Sequence, residues 1–244
     1  MSERRSVSVG QEIIEYILTR KKMRNMRMRI TSKCEVTVSC PLSTSTVDVD
    51  RFVAKNVDWI KKSRLKILQN ATSLKKYEYM TGEKFLYLGK EYELLVGEGN
   101  EQGVRERGDY LFMTVHDLWD FEEKRLLLDK WYKSQANKIL ADRFSYQRFM
   151  HKDLFPDRYQ LKIKKAVSTW GICAVNKGVV TLNFRLIYAP IELIDSVILH
   201  ELCHFYHIHH DSDFYGLLST LDPLYKEHNK LLNRKYIDYT HFND

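Results

Sequence analysis

Pro190-Ile191-Glu192-Leu193-Ile194-Asp195-Ser196-Val197-Ile198-Leu199-His200-Glu201-Leu202-Cys203-His204 is the stretch that decides how this chain is read. Pro190 opens a helix, and Ile191, Ile194, Val197, Ile198 and Leu202 recur at helical spacing to build a buried face. The pattern predicts a helix running to about Tyr206. Near its C-terminal end stands His200-Glu201-Leu202-Cys203-His204, an H-E-x-x-H arrangement. Residues four apart share one helix face, so the two imidazoles can hold one zinc ion at the usual Zn–N distance of about 2.0–2.1 Å. Glu201 is turned by roughly 100° from His200, which puts it beside the metal and suits it to act as general base on zinc-bound water.

A catalytic zinc site needs a third protein ligand and one open position. The downstream candidates are His207, His209, His210, Asp211 and Asp213. His207 would continue the same stripe, and three ligands in line along a helix cannot surround one ion tetrahedrally. His210 stands far enough on for the chain to turn and fold back, with Ile208 to His210 as the turn; His209 is the second choice. His116, His151, His228 and His241 read as surface or core histidines.

Working outward, Leu161 to Val167 and Gly178 to Phe184 read as strands, and Phe121 to Met150 as a long helix with Leu126, Leu127, Trp131, Ala136, Ile139, Leu140, Phe144 and Phe149 at helical spacings. Helical turns follow the metal motif over Gly216 to Leu221 and Leu224 to Leu232, broken at Pro223. Earlier in the chain, Met26 to Ile30 and Cys34 to Cys40 alternate as half-buried strands do, and Pro41 ends the second. Val47, Phe52, Val53, Val57, Trp59 and Ile60 give one helix an apolar stripe, with Ser45 or Thr46 as its cap. Phe85 to Val96 reads as a hairpin turning at Gly89-Lys90-Glu91. Gly97 to Gly108, glycine-rich and charged, reads as a loop, with a strand over Tyr110 to Val115. Glu12 to Arg20 is short and mixed, and no internal repeat is visible.

The 244 residues are 44% hydrophobic and 29% charged, as in an ordinary globular protein able to bury a core. No apolar run reaches membrane-helix length, and Met1 to Val9 lacks the apolar core of a secretory signal, so no membrane partner is expected and the expected location is the cytoplasm. Cys34, Cys40, Cys173 and Cys203 lack paired metal-ligand spacing and read as reduced thiols. The net charge is +7, with a concentration of Arg and Lys before Lys66. Such a surface can attract nucleotides or nucleic acid, although charge alone identifies no partner.

Further segments extend the motif. Trp170-Gly171-Ile172-Cys173 resembles a Trp-Gly-Ser-Cys segment, and Leu182-Asn183-Phe184-Arg185-Leu186 with Ala189-Pro190 resembles a Leu-Asn-Trp-Arg-Leu stretch leading to Ala-Pro. His209-His210-Asp211-Ser212-Asp213-Phe214 resembles Asn-His-Ser-x-x-Phe. On these residues the chain resembles the YgjP-like family of zinc-dependent hydrolases, relatives of SprT-type and gluzincin metallopeptidases. The hairpin residues Tyr87-Leu88-Gly89-Lys90-Glu91-Tyr92 also resemble the family. Ile172, His209 and Asp211 depart from its pattern. The resemblance implies that His210 is the third ligand and that the fold is α+β: an N-terminal, mainly antiparallel β region over residues 1–105, then a minimal zincin-like catalytic domain over 106–244. It implies a strand at Val179 to Phe184 near the metal, where an extended peptide would add.

The leading expectation is a zinc-dependent metallopeptidase acting on a peptide or protein. One alternative is a nucleotide pyrophosphatase or other phosphohydrolase, since zinc hydroxide also attacks phosphorus; another is a nucleic-acid-associated protein with a protease-like metal site. Arg185 is a candidate for stabilising developing charge, and Asp195 for orienting a ligating histidine.

Overall fold

The structure, a computed structural model, describes residues 2–10, 12–31, 34–73, 76–155, 159–166, 169–236 and 239, with the side chains of residues 66 and 68–73 left aside. Val167 and His241, and the side chain of Lys66, lie outside what is described. The chain divides into two compact units, Met1–Lys75 and Lys76–Asp244. The division expected at residue 105 falls inside a strand, Gly103–Arg107, that pairs within a sheet of the second unit.

The first unit is a four-stranded sheet with two helices on one face. Strands β1 (Ser2–Val9), β2 (Glu12–Lys21), β3 (Arg27–Ile30) and β4 (Val36–Pro41) lie in the order β1-β2-β4-β3. β1–β2 and β3–β4 are antiparallel hairpins, and the central β2–β4 pair is parallel. Alternation sends Ile14, Tyr16 and Leu18 of β2 and Val36, Val38 and Cys40 of β4 to one face. There they meet Val49 and Val53 of α1 (Thr46–Lys55) and Val57 and Ile60 of α2 (Val57–Ser73). The single helix expected over Val47 to Ile60 is two. Ser45 caps α1 by accepting from the Asp48 N–H at 3.1 Å, and Asn56 breaks it by turning its amide back to the Phe52 carbonyl. β1 is missed by sequence reading because its inward face carries Glu3 and Arg5 before Val7 and Val9, too few apolar residues to show an alternation.

In the second unit β5 (Lys84–Tyr87), β6 (Lys90–Glu98), β7 (Gly103–Arg107) and β8 (Tyr110–Val115) repeat the same topology, β5-β6-β8-β7, with β6–β8 parallel. The Gly-rich segment expected to be a loop thus contains β7. Helix α3 (Phe121–Met150), with Asp120 as its cap, buries Leu128, Trp131, Tyr132, Ala136, Leu140 and Phe144. A three-stranded sheet follows, β9 (Gln160–Lys164), β10 (Gly171–Ala174) and β11 (Val179–Asn183), in the order β10-β11-β9.

Helix α4 (Ile191–Cys203) then runs through the core, followed by α5 (Ser212–Leu221) and α6 (Tyr225–Leu231). α4 has Leu193, Ile194, Val197, Ile198, Leu199, Leu202 and Cys203 all buried, so its apolar surface extends around most of its circumference, as in a helix enclosed by its neighbours. α3 clamps it from outside: Arg143 Nε and Nη2 donate to the two Asp195 oxygens at 2.9 and 2.5 Å. Asp195 therefore ties two helices together instead of orienting a histidine.

The entry to α4 is fixed by the β5–β6 turn. The N–H groups of Leu88 and Gly89 donate to the Ile187 and Tyr188 carbonyls at 2.9 Å. Gly89 has φ +82°, and a Cβ there would lie 2.9 Å from Pro190 Cδ and Cγ. Gly82 has φ +93° with open space around it. Gly89→Ala should therefore lower the melting temperature more than Gly82→Ala, since both add left-handed backbone strain of about 1–3 kcal/mol but only the first collides with Pro190. Equal losses in thermal unfolding would mean that the turn does not constrain the helix.

Candidate metal centre

The predicted helix is three residues shorter than expected, and the difference shapes the site. α4 ends at Cys203, with His204 as its C-cap. Phe205, Tyr206 and His207 close a tight turn through N–H bonds to Leu202 and Cys203. The His207 side chain does not extend the stripe. Its carbonyl serves instead, accepting from His204 Nδ1 at 3.1 Å. That bond keeps the His204 proton on Nδ1 and leaves Nε2 with a free lone pair, the arrangement common behind a ligating imidazole.

The chain reverses after Ile208 and returns His210 to the helix end. His200, His204 and His210 each offer a ring nitrogen, and these atoms all lie within 4.8 Å of one another. His210 Nε2 and His200 Nε2 are 3.0 Å apart. Two nitrogens of a tetrahedral zinc site are separated by about 3.3 Å, given Zn–N distances of about 2.0–2.1 Å. Two lone pairs at 3.0 Å repel unless a proton or a cation lies between them, so the spacing and donor set fit a small divalent ion. Burial pushes His200 down to about 4, with His204 and His210 adding to the shift, and burial likewise lowers His204. Both are neutral at pH 7, the form that ligates.

Phe214 holds the three rings together. Its ring lies 5.0, 4.8 and 4.6 Å from those of His200, His204 and His210. It sits in the first turn of α5, whose cap is Asp211, accepting from the Phe214 N–H at 3.0 Å. Cys203 is buried with Leu199, Phe214 and Leu218, outside the set of converging ligand atoms, and burial pushes its thiol up to about 12. All four cysteines are free.

Glu201 is 5% exposed. Burial pushes its carboxyl up to about 8, against the opposing effect of a hydrogen bond from the Cys173 N–H. Its seat is Gly171: a Cβ there would lie 2.5 Å from Glu201 Oε1 and 2.7 Å from Cδ. Both contacts come from β10. The Asn183 N–H donates to the Trp170 carbonyl at 2.8 Å, so by antiparallel alternation Gly171 and Cys173 turn their backbone groups away from β11. β11 itself is the central strand, flanked by β10 and β9, so a peptide cannot add to Val179 to Phe184 as expected. The outer edge of β10 is the unpaired one.

A cleft of about 840 Å³ opens on this edge, lined by Trp170, Gly171, His200, Glu201, Tyr215 and Lys226 among others. Trp170 is anchored by its indole N–H to Asn233 Oδ1 at 3.0 Å. Arg185 does not line the cleft; its guanidinium donates to the Tyr239 carbonyl at 3.3–3.4 Å. Sequence reasoning names the three histidines and Glu201 but misses the roles of Gly171, Asp211 and Phe214. The glycine inside a strand is the signal that could have marked the first.

The chain belongs to the YgjP-like metallopeptidase domain family, which matches residues 24–235. No curated protein matches it. Among solved structures, the metallopeptidase zymogen abylysin of Pyrococcus abyssi aligns at 16% identity over 39% of this chain and 94% of that one, with a TM-score of 0.35.

Two substitutions test the supporting contacts. Gly171→Ala should displace the Glu201 carboxylate: if Glu201 is the base, zinc content should stay unchanged in metal analysis while peptide hydrolysis falls at least about tenfold. Asp211→Ala should weaken zinc binding roughly ten- to hundredfold through loss of the cap that holds Phe214 against the three imidazoles, and Asp211→Ser, which keeps a capping oxygen, should restore it. Unchanged zinc affinity in Asp211→Ala would separate the cap from the metal centre.

Proposed function

We propose that this chain is a zinc-dependent peptidase in which His200, His204 and His210 hold the metal and Glu201 is the general base. The observation that carries the reading is the convergence of three imidazole nitrogens at the end of α4, next to a buried carboxylate and a cleft. Membership of a metallopeptidase-domain family supports it. A zinc ion, when bound, lowers the pKa of coordinated water to about 7 and polarises a carbonyl oxygen.

The protein's own groups do the rest. Glu201 takes the proton of the attacking water on a carboxylate oxygen and passes it to the leaving amine. Gly171 leaves room for that carboxylate, and the Cys173 N–H aligns it. A nearby cation pulls a carboxyl pKa down, so burial and metal act on Glu201 in opposite directions. The outward backbone groups of β10 offer an extended peptide a strand to pair with, beside Glu201. By the same reading, the second unit, rather than residues 106–244, is the catalytic part.

Phosphoanhydride hydrolysis would call for several cations around the cleft. Lys226 is the one Lys or Arg among its lining residues, with Trp170, Tyr215, Tyr225, Asn229 and Asn233 around it. That lining favours a peptide over a nucleotide.

Metal analysis and hydrolysis of a mixed peptide panel test the assignment together. The wild-type protein should carry about one zinc per chain, and His200→Ala or His204→Ala should lose it. Glu201→Gln should keep the zinc and lose about a hundred- to ten-thousandfold in peptide hydrolysis. Full activity in Glu201→Gln would remove it as the base.

A further inference from the structure

The excess positive charge belongs to the first unit. Residues 1–75 hold sixteen Lys and Arg against seven Asp and Glu, a balance of +9, whereas residues 76–244 hold 23 against 25. Strand alternation distributes those charges unevenly. One face of the β1–β4 sheet is the apolar core beneath α1 and α2. On the other face no helix of this unit packs, and its residues follow from the register: Ser2, Arg4, Ser6 and Ser8 of β1, Ile13, Glu15, Ile17, Thr19 and Lys21 of β2, Thr37, Ser39 and Pro41 of β4, and Arg27 and Arg29 of β3.

The charges on this face sort by position. Arg27 sits opposite Ser39, and Arg29 opposite Thr37, while Ile17 lies between Thr37 and Arg4. Arg27 and Arg29 are about 6.6–6.8 Å apart along the strand, and Arg4 lies about 14 Å across three strand spacings from Arg29. Lys21 ends β2 on the same face, and Lys22 and Arg24 follow in the connection to β3. Glu15, beyond Ile17 on β2, and Glu35, just before β4, lie toward the opposite end. Lys21, Arg27, Arg29 and Arg4 are exposed. Among the described residues Lys21, Lys22, Arg24, Arg27 and Arg29 form no ion pair, and Arg4 reaches only the exposed Glu35, at 3.8 Å. Apart from that Arg4–Glu35 contact, no carboxylate within this sheet neutralises them among the described residues.

We propose that the basic end of this open sheet face binds nucleic acid through its phosphate backbone, without reading bases. Charge complementarity supplies the attraction. Arginine forks and the serine and threonine hydroxyls between them are the groups that contact phosphate oxygens. No aromatic ring lies on this face, so it lacks the stacking platform on which unpaired bases are held. The inference is independent of the metal centre.

The test uses the full-length protein and a short, fluorescently labelled mixed-sequence DNA duplex, titrated between about 50 and 200 mM salt. Binding should weaken linearly on a log–log plot. The triple variant Lys21→Ala/Arg27→Ala/Arg29→Ala should bind at least about tenfold more weakly and flatten the salt slope by about two to three, with an unchanged melting temperature. Arg27→Lys/Arg29→Lys should keep most of the affinity because the charge remains. A control triple on the helical side, Arg51→Ala/Lys55→Ala/Lys62→Ala, should stay within about twofold of wild type. Absence of binding at low salt, equal losses in the two triples, or equal affinity for poly-glutamate would each overturn the proposal.

Discussion

Helix α4 is enclosed on nearly every side, and the histidine cluster at its end inherits its rigidity from that enclosure. Ile194, Ile198 and Leu202 are fully buried. Truncating a buried isoleucine to alanine costs about 2–5 kcal/mol, a large share of the 5–15 or so that hold a typical domain folded. Such a helix cannot rotate or slide without opening the core. Its start is pinned by the Gly89–Pro190 contact and its flank by the Arg143–Asp195 pair. The direction in which His200 and Glu201 leave its last turn is therefore set by packing far from the chemistry.

The same burial creates an electrostatic conflict. Desolvation keeps His200 and His204 neutral, which a ligand requires, and it also raises the cost of a charged Glu201. The fold answers with backbone. The Cys173 N–H donates to the carboxylate, and the missing side chain at Gly171 lets the strand approach it. The site thus depends on a strand edge as much as on the helix that bears its named residues.

This division explains what could be read from sequence. Periodic apolar residues announce α3, which runs over Phe121–Met150 as expected, and α4, whose last turn alone was overestimated. The convergence of His200 and His204 is legible from their fixed helical spacing, and that of His210 from the room the chain has to turn back after Ile208. Where backbone carries the role, sequence was mute. β1 is mostly Ser, Arg and Glu with only Val7 and Val9 apolar, β7 hides among glycines, and Asn56 splits a continuous apolar stripe through a side-chain bond to the Phe52 carbonyl. Which strand of β9–β11 has the free edge depends on sheet order, which periodicity does not encode. The parallel pairs β2–β4 and β6–β8 depend on it in the same way.

The departures from the family pattern fall where only backbone or a generic oxygen is needed. Asp211 replaces a serine, yet its work is to accept the Phe214 N–H at the start of α5, and both residue types do that well. Ile172 also replaces a serine. It is 54% exposed and lies between Gly171 and Cys173, so its side chain leaves the opposite side of the pleat from theirs, and the contacts to Glu201 come from its neighbours. His209 replaces an asparagine in the turn before His210, and the three ring nitrogens that converge belong to His200, His204 and His210. At 172 and 211 the contacts just described come from neighbouring main chain or from a capping oxygen, so the side-chain differences leave them in place. Gly171 differs in kind, because there the main chain also leaves a space that a Cβ would fill, 2.5 Å from Glu201 Oε1.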